Sequence, residues 1–87
     1  MIKGKTSTGF EFELEDEVLD DYELLENLQK TDDGDTRCII KVVDSLLGEE
    51  QKKRLKDHVR SEKGRVSAKR LVDEVTEIFK SCNTGKN

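Results

Sequence analysis

Phe10-Glu11-Phe12-Glu13-Leu14-Glu15 alternates apolar and acidic side chains without a break. A period of two places Phe10, Phe12 and Leu14 on one face of an extended strand and the three glutamates on the other. Upstream, Ile2 to Thr6 is long enough to be its antiparallel partner, and Ser7-Thr8-Gly9 supplies the turn. A lone hairpin is marginal in water. Its apolar face therefore has to be covered by the rest of the chain or by another chain.

The remainder reads as helix. A first helix over about residues 20–30 is expected to start at Asp20, with Glu23 at capping-box spacing, Leu19 and Leu24 at staple positions, and Leu25 and Leu28 continuing the stripe. Thr31-Asp32-Asp33-Gly34-Asp35 stops it. A second helix over 36–47 carries Ile39, Ile40, Val43, Leu46 and Leu47 as a wide apolar stripe, and Gly48 ends it as a cap or a sharp corner. A third helix over 49–62 holds the core by Leu55 and Val59 alone, with Gln51 and His58 flanking them. Ser67 caps a fourth helix over 67–82, in which Leu71, Val75, Ile78, Phe79 and Cys82 face inward. The expected fold is α+β and mainly helical: an N-terminal β-hairpin followed by about four helices, in one small domain over 1–82. Ile40, Val43, Leu47, Leu71, Val75 and Phe79 form the expected core, and 83–87 a flexible tail.

Charge is segregated along the chain. Residues 1–36 hold twelve acids against three lysines, a net −9, whereas residues 37–87 hold thirteen basic residues against eight acids, a net +5. Such polarity suits docking to a partner or head-to-tail association with a second copy. Charged residues make up 41% of the chain, so the core is thin for 87 residues, and a homo-oligomer or a partner is a natural source of extra stability. The start lacks an apolar run of signal-peptide length, no stretch is long enough to cross a bilayer, and Cys38 and Cys82 sit in apolar helical patterns. The expectation is a cytoplasmic protein with two reduced thiols and no membrane association.

No pattern in the chain carries catalysis. Asp44-Ser45-Leu46 matches the attachment triplet of acyl carrier proteins, but Ser45 lies late in a helical run with no loop before it. The acidic turn at 31–35 lacks the first, third and twelfth ligands of a calcium loop. His58 has no second histidine or nearby cysteine with which to hold zinc, and no nucleophile at a recognisable spacing; it reads as a solvated surface residue. No catalytic, cofactor or metal residue is assigned. Lys52-Lys53-Arg54, Lys56, Arg60, Lys63, Arg65, Lys69 and Arg70 form a basic stretch, and a small nucleic-acid-binding or regulatory protein is the alternative reading. Interleaved acids and the lack of stacking aromatics argue against it.

The layout has a counterpart. Gly9-Phe10-Glu11-Phe12-Glu13-Leu14, then Leu19-Asp20-Asp21-Tyr22-Glu23-Leu24-Leu25-Glu26, Leu46-Leu47-Gly48-Glu49-Glu50-Gln51, Leu55-Lys56-Asp57-His58-Val59 and a late helix ending Glu77-Ile78-Phe79 resemble tail assembly chaperones of Gram-positive siphophages and prophages. The resemblance spans roughly residues 9–80 as a pattern of apolar and acidic positions, without an invariant motif. It implies a non-catalytic protein that binds the tape measure protein in the host cytoplasm while the tail tube is built, and that is absent from the finished virion. It also implies a frameshift-extended form, for which Lys86-Asn87 is the candidate slippage site. On this view the contacts to the tape measure and tail tube proteins are the semi-exposed apolar residues Tyr22, Leu25, Leu55 and Val59.

Overall fold

A computed structural model describes residues 1–84. The chain forms β1 (Ile2–Lys5), β2 (Glu11–Leu14), a 3-10 turn (Asp16–Asp20), α1 (Tyr22–Asp32), a second 3-10 turn (Thr36–Cys38), α2 (Ile39–His58) and α3 (Ala68–Thr84). It is an α+β fold, mainly helical, with the hairpin at the N-terminal end.

β1 and β2 pair antiparallel with Ile2 opposite Leu14 and Gly4 opposite Phe12. The alternation read from sequence holds: Phe10, Phe12 and Leu14 are buried, and the glutamates between them are exposed. On the outer face Lys3 lies opposite Glu13 and Lys5 opposite Glu11, so the cross-strand neighbours there are of opposite charge. Gly4 has a steric role. A Cβ at this position would lie 2.5 Å from Cζ of Phe12, so the phenyl ring occupies the space a side chain would need.

α2 is the central element, packing against α1, α3 and β2. It turns a corner at Gly48, where φ is 79° and ψ 175°. That combination is open essentially to glycine alone, and it lets one sequence run serve as two helices. α2 packs against α1, and beyond the corner Gln51 and Arg54 lie along β2, bonded to the backbone of Glu13 and Glu11. Lys52 braces the corner, reaching Asp44 on one side at 2.9 Å and Glu49 on the other at 2.8 Å. These two partners raise the Lys52 pKa above the ordinary lysine value, the hydrogen bond Lys52 donates to Glu49 contributing most.

Several boundaries differ from expectation for local reasons. α1 is capped by Asp21, not Asp20: its Oδ1 accepts from the Glu23 and Leu24 amides at 2.9 and 3.2 Å. Asp20 is taken up by the preceding 3-10 turn, which shifts the cap by one residue. Residues 36–38 are a 3-10 turn capped by Asp35, and the Arg37 side-chain hydrogen bond holds the Asp35 carboxyl below its usual range. The expected third helix stops at His58. Arg60 to Val66 instead closes a tight loop, with Ser61 N–H bonded to Arg65 O, and with Arg60 donating to the Gly64 carbonyl at 2.8 Å. Ser67 caps the last helix as expected, its hydroxyl accepting from the Arg70 amide at 3.2 Å. That helix runs through Thr84, so Asn83 and Thr84 belong to it and not to a tail; the rest of the expected tail, with Lys86 and Asn87, lies outside the described residues.

The core is one cluster drawn from the hairpin and all three helices. Val43, Leu47, Val75 and Phe79 are buried in it as expected, and Leu71 is partly buried. Ile40 is not in it: the residue is 66% exposed. Val42, fully buried, takes the place the sequence reading gave to Ile40. The apolar stripe of this helix is therefore Ile39, Val42, Val43, Leu46 and Leu47, at i, i+3, i+4, i+7 and i+8.

Candidate functional site

Of the four residues expected to contact a partner, two are accessible. Tyr22 and Leu25 on α1 are 73% and 40% exposed, whereas Leu55 and Val59 are 0% and 3% exposed. The sequence reading gave the segment from 49 onward a surface position with a narrow grip on the core. The corner at Gly48 instead folds that segment over β2, and Leu55 and Val59 become part of the shared interior. They can contribute to binding only by holding the scaffold.

Tyr22 and Leu25 lie one helical turn apart on the same side of α1. Leu25 continues into a groove of about 430 Å³ between α1 and α3. Leu28 and Phe79 lie on its walls with Leu25, while Gln29, Asp32, Thr76 and Lys80 supply polar groups. The groove exists because α1 and α3 both pack on α2, leaving side chains rather than backbone to fill the gap between them. Phe79 is a core residue, as expected, at 9% exposure. That it also borders a groove was not legible, because the α1–α3 separation depends on the tertiary packing.

A second constellation lies where the hairpin turn meets α2 and α3. Thr8 Oγ1 is 2.8 Å from Glu74 Oε2, 2.9 Å from His58 Nε2 and 3.1 Å from Thr6 Oγ1. The hydroxyl has one proton, and it donates this to Glu74. His58 must then donate its Nε2 proton to Thr8, and Thr6 donates its own hydroxyl proton while accepting from the Phe10 amide at 3.1 Å. Beside this, Glu77 accepts from the Ser7 amide at 2.6 Å and from the Ser7 hydroxyl at 3.0 Å. In this arrangement His58 is a donor to Thr8 and not its base, so the cluster is no nucleophile–base pair. It fastens the β1–β2 turn to α3.

His58 is exposed, as expected, but it is not simply solvated. Its ring lies tilted against Phe10 with centroids 5.5 Å apart, and the Arg54 guanidinium, one turn earlier, sits 5.4 Å from the same ring's centroid. Among the described residues no three His, Cys, Asp or Glu side chains are placed to hold a metal ion. Ser45 lies inside α2, away from any helix start.

Much of the basic stretch is engaged within the fold. Lys52 binds Asp44 and Glu49, Arg60 binds Asp57, Lys69 binds Asp73, and Arg54 donates to the Glu11 carbonyl at 3.3 Å. Both cysteines are free thiols, and partial burial raises the pKa of Cys82. Among the described residues no helix is long and apolar enough to cross a membrane. No protein-family model, no curated protein and no solved structure matches this chain.

Proposed function

We propose that this protein is a non-catalytic binding module that takes an amphipathic segment of a partner protein into the α1–α3 groove. Within that class we propose a tail assembly chaperone of the siphophage type, acting on the tape measure protein in the cytoplasm of a bacterial host. The observation that carries the reading is the run of apolar surface from Tyr22 through Leu25 into a groove bordered by Leu28 and Phe79. Apolar anchors in a concave site, rimmed by polar groups, are what helix-in-groove recognition needs. The pairing of Lys52, Arg60 and Lys69 with acids three or four residues away supports a protein partner over a nucleic acid.

The test is co-expression with tape measure and tail tube proteins encoded beside it, followed by co-purification. A complex with a tape measure segment that survives in wild type and is lost in Leu25→Asp, with helicity unchanged by circular dichroism, is the expected result. Co-purification that ignores Leu25→Asp and Tyr22→Ala alike would move the contact elsewhere. The absence of any tail gene nearby, or of any complex, would end the chaperone reading. Mass spectrometry of purified virions should not find the protein.

A further inference from the structure

Among the described residues, one buried side-chain polar atom has no hydrogen-bond partner. Glu74 is 5% exposed; its Oε2 accepts from Thr8, but Oε1 is enclosed and unpaired. A buried acceptor left unsatisfied is costly, more so on a charged group. Glu74 forms part of the wall of a cleft of about 460 Å³ bounded by the hairpin turn, the end of α2 and one face of α3. Asp73 and Glu77 are in the same wall. Glu77 is satisfied through both oxygens by Ser7, and Asp73 is paired with Lys69 through Oδ2. The last turn of α2 ends here at His58, and its carbonyl end adds negative potential. The opposing charge is Arg70, which is in the cleft wall yet makes no side-chain hydrogen bond or ion pair among the described residues. The balance is negative, and no donor in the cleft reaches Glu74 Oε1.

We propose that this cleft is a receptor for one cationic side chain, a lysine ammonium or an arginine guanidinium, presented by a partner protein. Such a group supplies the donors that Glu74 Oε1 lacks and is held by the surrounding carboxylates. Oε1 is enclosed, so an incoming cation reaches it by displacing a neighbouring side chain; His58, exposed and bonded to the same Thr8 hydroxyl as Glu74, borders the cleft there. The site is separate from the α1–α3 groove and stands whether or not that groove binds a tape measure protein.

The experiment is a titration followed by amide chemical shifts, with N-acetyl-arginine-amide, N-acetyl-lysine-amide and the uncharged N-acetyl-citrulline-amide as probes. One or both cations should give saturable shifts at Thr8, His58 and Glu74, and the larger response tells guanidinium from ammonium; citrulline should give none. Glu74→Gln should weaken the response by about tenfold or more. Arg70→Ala, at an exposed position, removes the competing internal cation and should strengthen it by about threefold. No saturable shift, an equal response to citrulline, or unchanged or weaker binding in Arg70→Ala would each overturn the proposal. The Arg70 variant and the citrulline control decide the matter even if Glu74→Gln fails to fold.

Discussion

The side-chain amide of Gln51 pairs with the backbone of Glu13 as a neighbouring strand would. Its Oε1 accepts from the Glu13 amide at 2.6 Å, and its Nε2 donates to the Glu13 carbonyl at 2.7 Å. β2 thus has β1 on one edge and α2 side chains on the other, since Arg54 also reaches the Glu11 carbonyl. An edge strand is a template for unwanted pairing, and here a glutamine closes it. Gln51→Ala should lower stability by about 1 kcal/mol in urea unfolding. It should also speed hydrogen exchange at the Glu13 amide, and unchanged exchange would show that the edge is protected by something else.

Gly4 and Phe12 form the second tight relationship. A methyl group at position 4 meets the ring directly, and Phe12 is 2% exposed with little room to move. Gly4→Ala should cost about 1–3 kcal/mol by overpacking. Adding Phe12→Leu to it should recover part of that loss, because the pair share one space.

Gly48 fixes the path of α2. With φ at 79° and ψ at 175°, alanine there is strained whatever the surrounding space. Gly48→Ala should destabilise by about 1–3 kcal/mol. If the helix straightens instead, Leu55 and Val59 leave the core and the exposed apolar surface grows, which dye binding would reveal.

Lys52 links the two arms of that corner, and its folded pKa is raised above 10.5. The sign follows from linkage: the contribution is whole below the unfolded value and fades as pH rises through the folded one. Stability should therefore fall in the alkaline range above pH 10.5 more steeply in wild type than in Lys52→Met. Parallel slopes for the two proteins would show that the brace is inert.

Phe79 and Ile40 separate the core from its surroundings. Phe79→Ala should cost about 3–5 kcal/mol. Ile40→Ala, at a position 66% exposed, should stay within about 0.5 kcal/mol of wild type. A large loss at Ile40 would mean that a partner or a second copy covers it. Sedimentation at low and high salt tests that directly, because association driven by the −9 and +5 halves weakens with salt and apolar association does not.

The hairpin was legible because strand periodicity is local: Phe10, Phe12 and Leu14 need only alternate with glutamates to share a face. Helix ends were legible where a single side chain makes the cap, as at Ser67. They slipped where two acids stand in a row, since Asp20 and Asp21 differ only in which one the 3-10 turn consumes. Ile40 was misplaced for a similar reason. A stripe starting at Ile39-Ile40 and one starting at Ile39-Val42 both satisfy the helical period, and only the neighbours of α2 choose between them.

The candidate sites were less legible than the fold. Tyr22 and Leu25 are accessible as the sequence suggested, while Leu55 and Val59 are interior. The Thr8–His58–Glu74 contact joins residues separated by 50 and 66 positions, and no spacing rule links them.

The sequence alone determined the strand alternation, the apolar stripes, a break at Gly48 and the charge polarity, because each is a property of neighbours within a few residues. Tertiary structure decided which face of α2 points inward, that Leu55 and Val59 join the shared core, that α1 and α3 leave a groove, and that one oxygen of Glu74 is enclosed without a donor. Those depend on how elements far apart in the chain come to share volume. Periodicity specifies that an apolar face will be buried, but only packing specifies against what.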